Sequence, residues 1–483
     1  MSFDTQTAPP NGTTHLQRNS IGLAHIVFFV VAAAAPLTAV VGASPVAFAF
    51  GNGAGVPGAF LLSGLLYIIF SAGFTTMSRH IGSTGGFYTY IAQGLGRPAG
   101  VAGAMMALLT YTAVQCAVYA MFGVFFQGAM AGLGLEAPWF VWSLIAMLLV
   151  HLAGQRNIAF SGKILAVAMT LEVLILLMLD IGIILQGGGP EGLTLTTFAP
   201  ATVFSPGLGV ALVFVIGSFI GFEATAIFGD EARDPHRTIP RATYVAVTLI
   251  TAFYALSTWA IAVYYGPSNI QSVAQNGLET LFFTAAENVL GHWSVTMMNA
   301  LLLLSLFACV LSFHNTLNRY FFALGREGII AKTLGQAHPV YGSPSHAGYL
   351  QTATAAIILG TFILLGADPM RIVFSWMSGM AVLAVLAVQV MVSLAIIAYF
   401  RRVNTSEHPI TMTLILPLIG LAGLVTVIAL VLQNLRMLIG VDSPIVYLVP
   451  VIIAVAGIIG LLVATRIKRA NPTLYDNLGS VFE

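Results

Sequence analysis

Apolar stretches long enough to cross a lipid bilayer recur along almost the whole of this chain, and that recurrence constrains the fold more than any single motif. About 20 consecutive apolar residues in a helix span the hydrocarbon core. Twelve such runs are expected, at roughly 21–48, 57–78, 98–130, 138–154, 162–186, 208–229, 242–266, 293–324, 346–366, 371–400, 411–433 and 444–466, numbered here as segments 1 to 12. Apolar residue types make up 58% of the 483 residues and charged types only 7%, with a mean hydropathy of +0.93. Soluble globular chains do not reach such values. An all-α integral membrane protein with twelve transmembrane helices is therefore expected.

The basic residues test that division. With the N-terminus inside, only Arg371 and Arg436 of the 18 Lys and Arg residues fall on the outer side. Losing one span would scramble the alternation, so the positive-inside bias supports both count and orientation. A multi-pass protein of the cytoplasmic (inner) membrane is expected, with both termini cytoplasmic. Residues 1–20 are polar and read as a disordered cytoplasmic tail. They lack the apolar core of a signal peptide, so segment 1 is expected to stay in the mature chain. A net charge of +1 argues against a nucleic-acid partner. Cys116 and Cys309 lie within spans and read as packing residues. No His or Cys pair has metal-ligand spacing, so no metal and no cofactor is expected, and the lone His314 of segment 8 reads as a hydrogen-bonding strut.

Segments 1 and 6 are the irregular ones. Segment 1 reads "HIVFFVVAAAAPLTAVVGASPVAF", with Pro36 near its centre. Proline removes a donor and clashes with the preceding turn, so the helix is prone to open there. Segment 6 reads "ALVFVIGSFIGFEATAIF", where Gly217 and Gly221 each weaken the helix by about 1 kcal/mol relative to alanine. Either break alone reads as an ordinary kink of a membrane helix. Together they occupy equivalent positions of two five-helix halves, residues 21–190 (segments 1–5) and 205–400 (segments 6–10). Segments 11 and 12 follow at 411–466, and a cytoplasmic tail at 467–483. Paired breaks of this kind point to inverted repeats around a midplane site.

Four stretches carry a family resemblance: "APLT" at 35–38, "GSTGGFYTYIAQGLGRPAG" at 82–100, "GFEATAIFGDEARDPHRTIPRA" at 221–242 and "LSFHNTLNRYFFALGREGII" at 311–330. On these the chain resembles the amino acid, polyamine and organocation (APC) superfamily, with the five-plus-five inverted-repeat (LeuT-type) fold and broken helices 1 and 6. The resemblance puts the segment 1 break at Pro36, Leu37 and Thr38, in place of the common Gly-x-Gly pattern. It implies that the amides of Leu37, Thr38 and Ala39 face a substrate carboxylate. It also implies that carbonyls at Ala34, Gly217 and Ile220, with Ser218 between the latter two, face a substrate ammonium. Some polyamine-importing relatives carry an acid shortly after the proline; here that place is apolar, around Val41. Tyr111 and Gln115 of segment 3, and Phe219 and Phe222 of segment 6, are candidate pocket residues, although aromatic residues at helical spacing also serve simply as packing.

Three carboxylates fall within spans: Glu172 and Asp180 in segment 5 and Glu223 in segment 6. An embedded acid is costly and marks a functional hypothesis, because it can load and release a proton. Asp180 is expected near the outer end of its span, within reach of water. Glu172 stands near the depth where some proton-coupled relatives carry a lysine, and is expected to pair with a proton, a cation or a hydroxyl of segment 8 such as Ser305 or Ser312. Glu223 is expected to lie close to the segment 1 break and to sense whether the site is filled. Asp230, Glu231 and Asp234, among Arg233, Arg237 and Arg241, read as surface ion pairs or as part of a gate. The expected function is a secondary transporter, not an enzyme. It imports an amino acid or closely related amine by alternating access, coupled to protons, as a monomer or homodimer. An amino acid/amine exchanger or a polyamine-type amine importer is the alternative.

Overall fold

The computed structural model describes residues 22–81, 86–156, 162–223, 225, 232–339, 341–403, 409–440, 444–476 and 478. The described residues are helical and contain no strand. Nine helices among them are long and apolar enough to cross a membrane: Gly53–Ile81, Arg97–Ala131, Leu165–Leu185, His236–Tyr265, His292–Arg326, Ser345–Leu364, Pro369–Val403, Thr411–Gln433 and Pro444–Ala470. These are segments 2, 3, 5 and 7 to 12. The molecule is a multi-pass membrane protein.

Segments 1, 4 and 6 contain shorter helices. Segment 4 is the 17-residue helix Trp139–Gln155. Segments 1 and 6 are short because they are interrupted. In segment 1, helix Leu23–Ala33 ends before Ala35, which adopts φ 46° immediately ahead of Pro36. A residue before proline is driven out of the α region, and a positive φ is uncommon for any residue with a side chain. The chain resumes as a π-helical turn, Thr38–Ala43, and a short α-helix, Ser44–Phe50. In segment 6 the helix Leu208–Gly217 gives way to tight turns, in which Phe219 N–H reaches the Ile216 carbonyl and Ile220 N–H reaches that of Gly217. Gly221 then takes φ 112°, open to glycine and to almost nothing else.

Segments 3 and 10 lie deepest, and segments 9, 11 and 12 expose most of their surface. Segment 3 packs against segments 4, 8, 10 and 12, and segment 2 against segments 6, 7 and 11. Small residues allow the closest approaches. A side chain at Gly64 would strike Thr251 of segment 7, and one at Gly460 would strike the backbone of segment 3 at Ala102. With lipid on the outside, such contacts replace the hydrophobic effect as the force joining helices. Segment 10 begins with Pro369 after Asp368, whose carboxylate accepts the Met370 and Arg371 amides at 3.0 and 2.6 Å. This side-chain cap satisfies donors that a helix start leaves open.

At the end of the bundle that carries Arg97 and Arg326, the short helix Pro472–Asp476 folds back onto the membrane segments. Arg97 binds the Asp476 carboxylate at 3.2 Å and its backbone carbonyl at 2.6 Å, and lies over the Tyr475 ring. Leu478 is buried with Tyr88, Val101 and Leu324, and Tyr88 donates to Glu327 at 3.0 Å.

Candidate functional site

Between the two interruptions lies a small cavity, with about 80 Å³ of room for a guest. Segment 1 contributes Ala34, Ala35, Thr38, Ala39 and Ala43 to its wall; segment 6 contributes Val213, Phe214, Gly217, Ser218 and Ile220. Segment 3 adds Val114, Ala117, Val118 and Met121, segment 8 adds Cys309 and Phe313, and segment 10 adds Phe374, Ser378, Ala381 and Val382. Two π-helical turns meet the cavity, Thr38–Ala43 through Thr38, Ala39 and Ala43 and Pro369–Phe374 through Phe374. Such turns widen the helix and leave its hydrogen bonding irregular.

An opened helix has unpaired backbone groups, which in a membrane must find partners. Here side chains from distant segments supply several of them. The Ala34 carbonyl accepts the Tyr254 hydroxyl of segment 7 at 2.9 Å. The Leu37 amide donates to the Glu172 carboxylate of segment 5 at 3.3 Å. Ser305 of segment 8 donates to the same carboxylate oxygen at 3.0 Å, and Thr38 donates to Ser305 at 3.2 Å. A hydroxyl pair thus joins a cavity residue to a buried acid. In segment 6, the Gly221 amide donates to Glu223 at 2.9 Å, and the other oxygen of Glu223 accepts the Tyr111 hydroxyl at 3.1 Å. Each break therefore has one of its amides held by a carboxylate of the chain itself.

Of the backbone groups expected to face a substrate, several are already engaged. The Leu37 amide is held by Glu172, and the Ala39 amide by the Ala35 carbonyl at 3.0 Å. The Thr38 amide lies between them and is held by neither acceptor. The Ala34 and Gly217 carbonyls accept Tyr254 and the Ile220 amide, although a carbonyl retains a second lone pair for a ligand. Ala34, Thr38, Ala39, Gly217, Ser218 and Ile220 line the cavity. Pro36, Leu37 and Val41 are buried behind that wall.

The remaining candidates are placed elsewhere. Phe219 and Phe222 turn away from the cavity into an aromatic cluster on segment 2, with ring centroids 5.1 and 4.8 Å from Tyr67. Their helix phase points them at segment 2, which packs along segment 6. Gln115 points across segment 3 toward segment 9, accepting a hydrogen bond from Gln351 and donating to Tyr119 at 3.5 Å. Tyr111 lies one turn from Val114 toward the Arg97 end, outside the cavity lining, with its ring tilted against Tyr320 and against Phe313 of the cavity wall and its hydroxyl on Glu223. Glu223 itself is bound to segments 3 and 6, where an approach to segment 1 was expected. Its two oxygens accept from the Tyr111 hydroxyl and the Gly221 amide.

One further expectation is corrected. Asp180 does not reach water: it is 1% exposed and accepts the Ser257 hydroxyl at 2.6 Å, because segment 7 packs over that part of segment 5. His314 is buried beside His151 and against Gly154, away from the cavity. Asp234 pairs with Arg237 at 3.7 Å on the surface, while Asp230 and Glu231 lie outside the described residues. No group of three His, Cys, Asp or Glu side chains able to hold a metal occurs among the described residues.

The cavity wall on segments 3, 8 and 10 escaped sequence reasoning. A signal was present in part: Val114, Ala117, Val118 and Met121 follow the i, i+3, i+4, i+7 spacing of one helix face. On an apolar helix, however, that face looks like the others.

Comparison with known proteins agrees with this architecture. The family model described as "Amino acid permease" matches residues 25–474. The serine/threonine exchanger SteT of Bacillus subtilis (strain 168) is 21% identical over 308 residues, covering 62% of this chain and 67% of the relative. The methylthioribose transporter of the same organism is 23% identical over 324 residues, covering 64% and 67%. A cadaverine/lysine antiporter of Escherichia coli (strain K12) is 26% identical over 181 residues, covering 36% and 38%. These matches span about two thirds of the first two relatives and little more than a third of the antiporter. A family model covering nearly the whole sequence, on a helical membrane protein with a cavity between two interrupted helices, settles the classification: the chain belongs to the amino acid permease family of the APC superfamily.

Proposed function

We propose that this permease is a secondary active transporter that imports an amino acid or closely related amine across the cytoplasmic membrane, coupled to protons, by alternating access. The observation that carries this reading is the cavity held between two broken helices, with a relay from Thr38 through Ser305 to Glu172. A carboxylate that holds one half-helix amide and is wired to the cavity is suited to link proton loading with movement of that half-helix. Glu223 has the same relation to segment 6.

The proposed layout is twelve spans with segments 1–5 and 6–10 as inverted repeats, segments 11 and 12 outside the repeat, and both termini cytoplasmic. Packing supports the repeat. Segments 2 and 7 pack together, as do 3 and 8, and 4 and 9, so each pair joins one half to its counterpart. Segment 1 packs on segment 7 and segment 6 on segment 2, the same contact with the halves exchanged. Segment 3 on segment 10 is matched by segment 8 on segment 5. The unit is a monomer or a homodimer.

Purified protein in liposomes tests the function. Saturable accumulation of a labelled amino acid or amine under an inward proton gradient is the expected result, and uptake that never exceeds equilibration under that gradient overturns the coupled reading. Exchange is the second reading, favoured by relatives named as an exchanger and an antiporter. It predicts uptake only into liposomes preloaded with a counter-substrate.

A further inference from the structure

We infer that the cargo of this site is a small molecule with one polar head on an uncharged, apolar body, in preference to a dicationic or acidic molecule; this deepens the transport reading and rests on it. Two observations on the cavity wall carry the inference. First, no Asp, Glu, Lys, Arg or His side chain lines the cavity among the described residues. Second, few polar side chains line it. Thr38, Ser218, Ser378 and the Cys309 thiol are the polar members. The Ser218 hydroxyl is turned onto the Phe214 carbonyl at 2.8 Å, and the Thr38 hydroxyl onto Ser305.

The polar part of the wall on segments 1 and 6 is therefore mostly backbone, at Thr38, Ser218 and Ile220. Val114, Val118, Met121, Val213, Phe374 and Val382 make up most of the apolar surface around it. A second charged group reaching that surface would lose its water and meet no counter-charge, which disfavours lysine, a diamine or an acidic amino acid. An apolar body of the same length would instead gain from burial there. The buried acids of segments 5 and 6 that hold the two breaks supply no counter-charge to the cavity wall. Glu172 lies behind Thr38 holding Leu37, and Glu223 lies behind segment 6 holding Gly221.

The test separates a zwitterionic head from a lone ammonium. Purified protein is presented with L-leucine, isoamylamine (leucine without its carboxylate), L-lysine, cadaverine and L-glutamate. Binding is read by the ligand-dependent rise in melting temperature and by isothermal titration. The expected result is binding of leucine, isoamylamine or both, with lysine, cadaverine and glutamate at least about tenfold weaker. Leucine alone identifies a zwitterionic head; equal binding of isoamylamine identifies an ammonium head. Lysine, cadaverine or glutamate binding as tightly as the apolar pair overturns the inference, as does failure of both apolar probes. Val118→Ala and Val382→Ala each remove two methyl groups from the wall. Each is expected to weaken the apolar probe roughly tenfold, and unchanged affinity in both overturns the assignment of that wall. Binding of leucine without uptake into liposomes would sink the transport reading and leave this inference standing. Uptake of lysine in preference to leucine would do the reverse.

Discussion

Glu172 Oε2 accepts the backbone amide of Leu37 at 3.3 Å across a sequence separation of 135 residues. A carboxylate of segment 5 thereby stands where a broken segment 1 would otherwise leave a bare donor. Its loss should be felt in stability and in coupling separately. Glu172→Ala leaves the Leu37 amide and the Ser305 hydroxyl without their acceptor, at a cost of about 1–3 kcal/mol, read as a lower melting temperature in detergent. Glu172→Gln keeps an acceptor oxygen but cannot take up and release a proton. We expect it to fold and exchange substrate while losing accumulation driven by a proton gradient; wild-type accumulation in this variant would remove Glu172 from the coupling path.

Glu223 behaves differently under the same exchange. Both of its partners, the Gly221 amide and the Tyr111 hydroxyl, donate to it. Glutamine has a single acceptor oxygen, so Glu223→Gln can accept from the Gly221 amide and donate its own N–H to the Tyr111 hydroxyl, which turns to accept it. Substrate binding and some exchange should persist, and pH-dependent accumulation should be lost. Adding Tyr111→Phe leaves the glutamine N–H without that acceptor, so the double variant should be less stable than Glu223→Gln alone. Additive losses in the two-variant cycle would show that the pair is uncoupled.

Gly221 sits at φ 112°, where any side chain is strained. Gly221→Ala should cost about 1–3 kcal/mol and should abolish uptake, because the Gly221 amide would no longer point at Glu223. An alanine variant with wild-type melting and uptake would show that this part of segment 6 relaxes freely.

Coupling to protons is distinguishable from coupling to sodium without a variant. Accumulation should follow an inward proton gradient in sodium-free buffer and change little when sodium is added. Uptake abolished by replacing sodium with choline at constant pH would assign the embedded carboxylates to a metal cation.

The interrupted helices were legible in the sequence because Pro36, Gly217 and Gly221 act through the local backbone, and local effects can be read residue by residue. The nine long apolar helices were legible because uninterrupted runs of apolar residue types stand out along the chain. What closes the breaks was not legible, with the exception of Ser305 as one candidate partner of Glu172. Tyr254 and Glu172 reach segment 1 through the packing of segments 5 and 7, and nothing near them in the chain records it. Helix phase was the other loss. Phe219 and Phe222 face segment 2, and Gln115 faces segment 9, while Val114 and Val118 face the cavity. In a soluble helix the polar side would have fixed that rotation; in a helix apolar all round, no side is marked. Asp180 was misjudged for a related reason, since depth along a span does not reveal which neighbour covers it.

The internal partners of the two breaks also bear on insulation. A carrier that holds a proton gradient across a membrane must not conduct when it is empty. Water crosses a protein interior by passing from one unpaired polar group to the next, and a broken helix is the natural place for such a file to begin. Here the Ala34 carbonyl is closed by Tyr254, the Leu37 amide by Glu172 and the Gly221 amide by Glu223. With those groups occupied from within, the two points where the helices are open offer water few footholds, and the side chains that close them also oppose a file of water from one break to the other.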